Sequence, residues 1–179
     1  TVLVTFFVGV GSLGLYTYIS VVLERVQVDT IPGMWIWGIG GAVGAFGIGR
    51  VLDKVDSSRK LTTIIIGLLA ADFAMLLLFP SSRMVAMVCL FAWGLCGWSS
   101  MAPQQHSLLS ANPDEGATAV AANASANYLG SAVGSAVGGL FLPSSTGILL
   151  GALFVVLVGI VCSIGVRALS FPKPRDNEN

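Results

Sequence analysis

Gly49-Arg50-Val51-Leu52-Asp53-Lys54-Val55-Asp56-Ser57-Ser58-Arg59-Lys60 is a short charged loop set between two long apolar runs. It carries four of the nine basic residues of the chain, Arg50, Lys54, Arg59 and Lys60. Gly49 stands about one helical turn before Asp53. A chain that crosses a bilayer gathers Lys and Arg in this way where two spanning helices turn at the cytoplasmic surface.

The composition agrees with that reading. The 179 residues are 55% hydrophobic and 10% charged, against roughly 25% charged in soluble domains. The formal net charge is zero, so no basic face invites nucleic acid. Outward from the loop, six apolar runs fall at about 2–23, 32–52, 61–79, 84–108, 117–142 and 147–169, each near the roughly 20 residues that a spanning helix needs. Lipid admits only helices or closed barrels, and these runs are too long and too little alternating for barrel strands. The expected fold class is an all-α membrane protein with six transmembrane helices. Residues 1–170 form one bundle and 171–179 a polar cytoplasmic tail, which leaves no room for a soluble domain.

Breaks between the runs are well marked. Glu24, Arg25 and Asp29 end the first, and Pro32 suits the opening turn of the second. Pro80-Ser81-Ser82-Arg83, Asn112-Pro113-Asp114-Glu115-Gly116 and Pro143-Ser144-Ser145 separate the later ones. With both termini inside, the cytoplasmic side holds Arg50, Lys54, Arg59, Lys60, Arg167, Lys173 and Arg175, and the outer side only Arg25 and Arg83. This bias predicts cytoplasmic termini and a multi-pass protein of the cell (inner or plasma) membrane. The first run is too long, and lacks the basic start, for a cleavable signal peptide. The chain opens on Thr1 rather than Met, which leads us to expect a piece of a longer protein.

Four groups of residues stand out. Asp53, at the end of the second run, can accept hydrogen bonds from the N-terminus of a neighbouring helix and is stabilised by its dipole; the fifth helix, starting near Ala117, is on the same side. Gly49 would allow close approach there, and Lys54, Arg59 and Lys60 can meet acids or anionic lipid. A plain cytoplasmic loop explains the same residues equally well. Gly130, Gly134 and Gly138, followed by Gly139, recur at helical spacing in the fifth run, a small-xxx-small pattern that lets backbones touch in lipid and that would let helices rock. Gly33, Gly40, Gly41, Gly44, Gly47 and Gly49 form a looser version in the second run.

The third group is polar. Asn123 and Asn127 lie one turn apart, and Tyr16, Thr17 and Tyr18, with Trp93, Trp98, Gln104, Gln105 and His106, sit inside or at the ends of apolar runs. Polar groups in lipid need a partner or water, so Tyr16, Trp98, Gln104, Asn123 and Asn127 are candidates to line a wet cavity. Helix–helix hydrogen bonds account for the asparagines as well. Trp35 and Trp37 read as an interfacial belt. The fourth is Asp72, an acid deep in the third run and therefore a proton-coupling candidate. His106 reads as a satisfied interfacial residue.

No metal or catalytic site emerges. Cys89, Cys96 and Cys162 form no paired motif, and packing explains them. Ser99 lies seven positions from His106 on one helix, too far for a nucleophile–base pair. A lone Asp72 forms no aspartyl dyad, and there is no phosphate-binding loop. The expectation is a non-enzyme with no cofactor.

Together these features resemble the C-terminal half of a major facilitator superfamily transporter, over essentially the whole chain. Gly49, Asp53 and Lys54 match the superfamily's loop motif between the second and third helices of a half; Asp56, Ser57 and Ser58 depart from its continuation. Gly130-Ser-Ala-Val-Gly134-Ser135-Ala-Val-Gly138-Gly139 has the spacing of the fifth-helix motif of drug:proton antiporters, with Ser135 in place of Pro. Tyr16-Thr17-Tyr18, Pro103-Gln104-Gln105-His106 and Asn123 to Gly130 look most like the arabinose-efflux-permease and drug-efflux group. The resemblance implies proton-coupled efflux of a small organic solute (drug, sugar or nucleoside). It implies a cavity lined by helices one, two, four and five, a conformational gate at Gly49, Asp53 and Lys54, and peripheral third and sixth helices. The partners implied are a small-molecule substrate and protons, the lipid bilayer, and either an N-terminal six-helix half or a second copy. The competing reading is a non-transporting half-protein that acts as a membrane interaction or regulatory module.

Overall fold

The computed structural model describes residues 1–142 and 144–168, with side chains as far as residue 165. The expected polar tail at 171–179, and with it Lys173 and Arg175, lies outside the described residues, as does the side chain of Arg167. Seven helices form among the described residues: α1 (Val2–Tyr16), α2 (Ile19–Arg25), α3 (Thr30–Leu52), α4 (Ser58–Leu78), α5 (Arg83–Ala111), α6 (Gly116–Gly139) and α7 (Ser145–Ala168). The protein is an all-α, multi-pass membrane protein.

Local chemistry explains the helix ends. The Ser57 and Ser82 hydroxyls accept from the backbone N–H groups of Lys60 and Val85, each at 3.4 Å, and so cap α4 and α5. Pro32 falls in the first turn of α3, where its missing N–H has no helical partner to lose. Gln27, at φ 55°, makes the left-handed turn between α2 and α3, and Val28 N–H closes it onto the Leu23 carbonyl at 3.0 Å.

The first apolar run is not the single straight helix expected over 2–23. It contains a π-helical turn at Gly9–Leu13 and then bends by 64° between α1 and α2. At the corner Tyr18 leaves helical geometry (φ −107°, ψ 22°). Its hydroxyl donates to the Ser135 carbonyl on α6, and Thr17 Oγ1 lies 2.7 Å from Ser135 Oγ. The bend is thus tied to a neighbouring helix. Arg25 fixes the far end of α2 by donating to Thr146 Oγ1 and, at 3.4 Å, to the Leu77 carbonyl.

Of the six expected spans, α3, α4, α5 and α7 are each long and apolar enough to cross a membrane, and α1 with α2 makes a broken fifth. α6 has the length, 24 residues, but consists largely of Ala, Gly, Ser and Asn. It buries Gly116, Asn123, Asn127, Gly130 and Gly134. α3 packs along α5, α6 along α1, and α4 lies against α5 and α7.

Glycine makes the closest of these contacts. A Cβ at Gly130 or Gly134 would run into the carbonyl oxygens of Phe6 and Val10, so α1 and α6 touch backbone to backbone. α3 and α5 meet likewise: a Cβ at Gly40 or Gly44 would strike the carbonyls of Phe91 and Leu95, and one at Gly94 the carbonyl of Trp37. Gly138 and Gly139 face the ring and hydroxyl of Tyr18. Gly67 on α4 has nothing within 4 Å of where a Cβ would stand.

Replacing Gly134 by Leu forces the α1 and α6 backbones apart. We expect Gly134→Leu to destabilise the bundle by about 1–3 kcal/mol, read as a lowered thermal unfolding midpoint in detergent. Gly67→Leu is expected to stay within about 0.5 kcal/mol of the parent; equal midpoints for the two variants would refute the contact.

Candidate functional site: a hollow beside a buried polar knot

The face shared by α1, α3, α5 and α6 carries a hollow of about 200 Å³, lined among others by Ser12, Trp37, Trp98, Met101, Asn127 and Tyr128. Its size follows from what surrounds it. Gly97 on α5 brings no side chain to this wall, and a Cβ there would sit 3.1 Å from Ser12 Oγ. Tyr128 is exposed and Trp98 half exposed at the mouth.

Aromatic rings build one side. Tyr16 stacks on Trp37 with ring centroids 4.1 Å apart and an interplanar angle of 28°. Trp37 meets Trp93 edge-on at 6.2 Å and Trp98 at 6.5 Å. Trp93 is fully buried and is anchored by its indole N–H, which donates to Ser12 Oγ at 3.0 Å. Such a set presents flat, polarisable faces with few donors, suited to planar or apolar parts of a solute. The expected interfacial belt is therefore corrected at one position. Trp35 is exposed, but Trp37 is buried within the aromatic group, because two residues' step along a helix turns the side chain by about 200°, from the outer face toward α1 and α5.

One turn along α1, α5 and α6 from the hollow lies a buried polar knot of Thr5, Gln104 and Asn123. Thr5 Oγ1 donates to Asn123 Oδ1 at 2.6 Å and also contacts the Gln104 side-chain amide. A hydroxyl has one proton to give, so the two contacts are satisfied together when the Gln104 amide is turned to donate to Thr5. As placed, the amide nitrogens of Gln104 and Asn123 have no hydrogen-bond partner among the described residues.

The sequence candidates thus separate. Asn127 and Trp98 line the hollow, and Tyr16 stands behind it as the support of Trp37. Gln104 and Asn123 are fully buried beside it. Thr5 and Ser12 were not among the candidates; their only sequence signal was a hydroxyl inside an apolar run. Asp72 is on α4, away from the hollow, in a groove of its own. His106 is exposed, with Nδ1 2.8 Å from Ser58 Oγ.

At the charged loop, Gly49 has nothing within 4 Å of a Cβ position, so the close approach expected there is not made among the described residues. Asp53 follows α3 directly. Asp53 and Lys54 are exposed and make no ion pair or side-chain hydrogen bond among the described residues; the bond expected between Asp53 and the start of α6 is absent.

Thr5→Val keeps the shape of residue 5 but removes the hydroxyl that joins two buried amides. A loss of about 1–3 kcal/mol is expected, read as a lower unfolding midpoint, with Thr5→Ser close to the parent. A Val variant as stable as the parent would show that the knot is not held by this bond.

A family model described as Major Facilitator Superfamily matches residues 1–135. The uncharacterized MFS-type transporter YfhI of Bacillus subtilis (strain 168) is 29% identical over 140 residues, which make up 74% of this chain and 34% of that protein. The chain therefore spans about a third of the length of that curated relative. No solved structure matches it. Since the family match covers well over half of the residues, from the bent first span into the glycine ladder of α6, the chain belongs to the major facilitator superfamily.

Proposed function

We propose that this chain forms one wall of the solute pathway of a secondary-active membrane transporter. It acts as the C-terminal half of a protein of the drug:proton antiporter and arabinose-efflux-permease kind. Family membership points to transport rather than catalysis. The observation that carries the reading is the hollow itself: four helices converge on one face where Trp37, Trp98, Asn127 and Tyr128 combine ring faces with an amide. That mixture recognises a small organic solute with both apolar and hydrogen-bonding parts, as drugs, sugars and nucleosides have.

In this reading a second six-helix half, or a second copy, closes the hollow into a central cavity. The two bodies rock about it, driven by protons moving inward as solute leaves across the cell membrane. Both termini face the cytoplasm. Gly49, Asp53 and Lys54 then act at the cytoplasmic rim. Among the described residues Gly49 has open space and Asp53 and Lys54 form no ion pair, which suits contacts made with the other half, and Asp53 would dock on a helix N-terminus there in one state only. Asp72 stands apart from the hollow, and the proton-carrying acid is assigned to the other half.

The test is solute flux in everted membrane vesicles from cells expressing the whole protein, with an imposed pH gradient. Gradient-dependent uptake is expected, together with a higher KM in Trp98→Ala and Asn127→Ala. Asp53→Asn is expected to slow turnover about fivefold with KM little changed, the equivalent of about 1 kcal/mol of helix-end stabilisation. Vesicles that move no solute under any gradient would favour a non-transporting membrane module, and parent-like turnover in a normally expressed Asp53→Asn protein would remove the gate.

A further inference from the structure

We propose that the hollow takes an uncharged aromatic amide, a flat body of one or two rings with a single lactam or carboxamide edge. This names a substrate class for that site and rests on the transport reading above. Asn127 carries the inference. It is 8% exposed, it lines the hollow, and its side chain makes no hydrogen bond among the described residues. Unlike the amide nitrogens of Gln104 and Asn123, its amide is not enclosed, so an occupant can reach it. α1 sets its place: a Cβ at Gly9 would strike the Asn127 carbonyl, and Asn127 Oδ1 lies 3.2 Å from that same position.

The other polar groups of the hollow are engaged or turned away. Ser12 Oγ accepts from the Trp93 indole. The Trp37 N–H is enclosed, and the nitrogen edge of Trp98 rests against Gly41, so each offers an occupant ring surface alone. Tyr128 stands exposed at the mouth. Inside, one open amide is set among rings, aliphatic side chains and the Met101 thioether. An amide in such surroundings is costly until a partner matches it. A primary amide has an acceptor oxygen and two N–H donors, and a lactam edge, N–H beside C=O, meets both kinds at once. Size limits the body that bears this edge. A cavity of about 150 Å³ takes benzene, and drug-sized sites begin at about 300 Å³. The hollow, at about 200 Å³, fits one or two rings. A sugar would bring hydroxyls on every side to an interior with one open polar group. A cation would meet ring faces but no Asp or Glu among the described lining residues, and so no carboxylate to offset its lost hydration.

Equilibrium dialysis of tritiated isoquinolone against the whole protein in phosphatidylcholine nanodiscs tests the site, with empty nanodiscs as the partition control. Saturable binding is expected in the parent. The N-methyl derivative keeps the rings and carbonyl but lacks the N–H, and should bind about tenfold more weakly. N-methylisoquinolinium, a cation of the same skeleton, and glucose should each compete at least about tenfold more weakly than isoquinolone. Asn127→Leu should weaken isoquinolone binding about tenfold and erase its advantage over the N-methyl derivative, a signature that a merely structural role would not give. Trp98→Ala should weaken both ligands alike, by about tenfold, and Trp35→Ala should bind as the parent does. If Asn127→Leu does not fold, the ligand series in the parent decides the matter. The proposal is overturned by absent saturable binding, by equal parent affinity for isoquinolone and its N-methyl derivative, by tighter binding of the cation or glucose, or by a retained isoquinolone preference in folded Asn127→Leu. Binding needs no flux, so the two readings fail separately. Vesicles that move solute while isoquinolone does not bind remove this class and keep transport; binding as expected without flux keeps the site and removes transport.

Discussion

Helices already in lipid gain little from hiding apolar surface, so they associate where their backbones can come close. Two seams do this here. Along one, Gly130 and Gly134 of α6 receive the carbonyls of Phe6 and Val10; along the other, Gly40 and Gly44 of α3 and Gly94 of α5 bring main chains together. The face that carries the hollow depends on both. The α1–α6 seam sets Thr5 against Asn123, and the α3–α5 seam sets Trp37 against Trp93 and Trp98. A wider spacing at either seam would open the knot or part the rings, whatever residues stood there.

The pairings also have an order. Counting α1 and α2 as one span, the first span packs on the fifth, the second on the fourth and the third on the sixth. Exchange of the first three spans with the last three maps the two glycine seams onto each other and leaves the α4–α7 contact in place. This is the pairing pattern that two three-helix repeats of inverted topology would give. It accounts for glycine ladders in the second and fifth runs: each is the second helix of its repeat and each must lie close against the first helix of the other.

Much of this was legible in the sequence because it rests on composition. Long apolar runs, Pro- and Ser-marked breaks and the spacing of Gly130, Gly134 and Gly138 are one-dimensional signals, and each has a direct physical reading. What escaped was set by direction. Trp35 and Trp37 look alike in a string, yet one faces outward and the other is buried, because their difference is an angle around α3. Thr5 was invisible as a partner until α5 and α6 were placed beside it. The broken first span left a trace in Tyr16-Thr17-Tyr18, but those side chains read as cavity polarity rather than as a corner held by Ser135. Gly49 is the reverse case: a glycine suggests contact, and the space beside it is open among the described residues.

The π turn at Gly9–Leu13 sets the phase of α1. A helix of uniform pitch that presents Phe6 and Val10 to Gly130 and Gly134 would carry later residues steadily around its axis. One additional residue within a single turn resets that rotation by about 100°. It allows Thr5, before the turn, and Gly14, after it, both to address α6. A chain lacking one residue there would still make an unbroken helix, but its two halves would no longer agree on which way is inward. The irregularity is therefore a length specification: a change of one in the residue count would turn one half of the span away from α6.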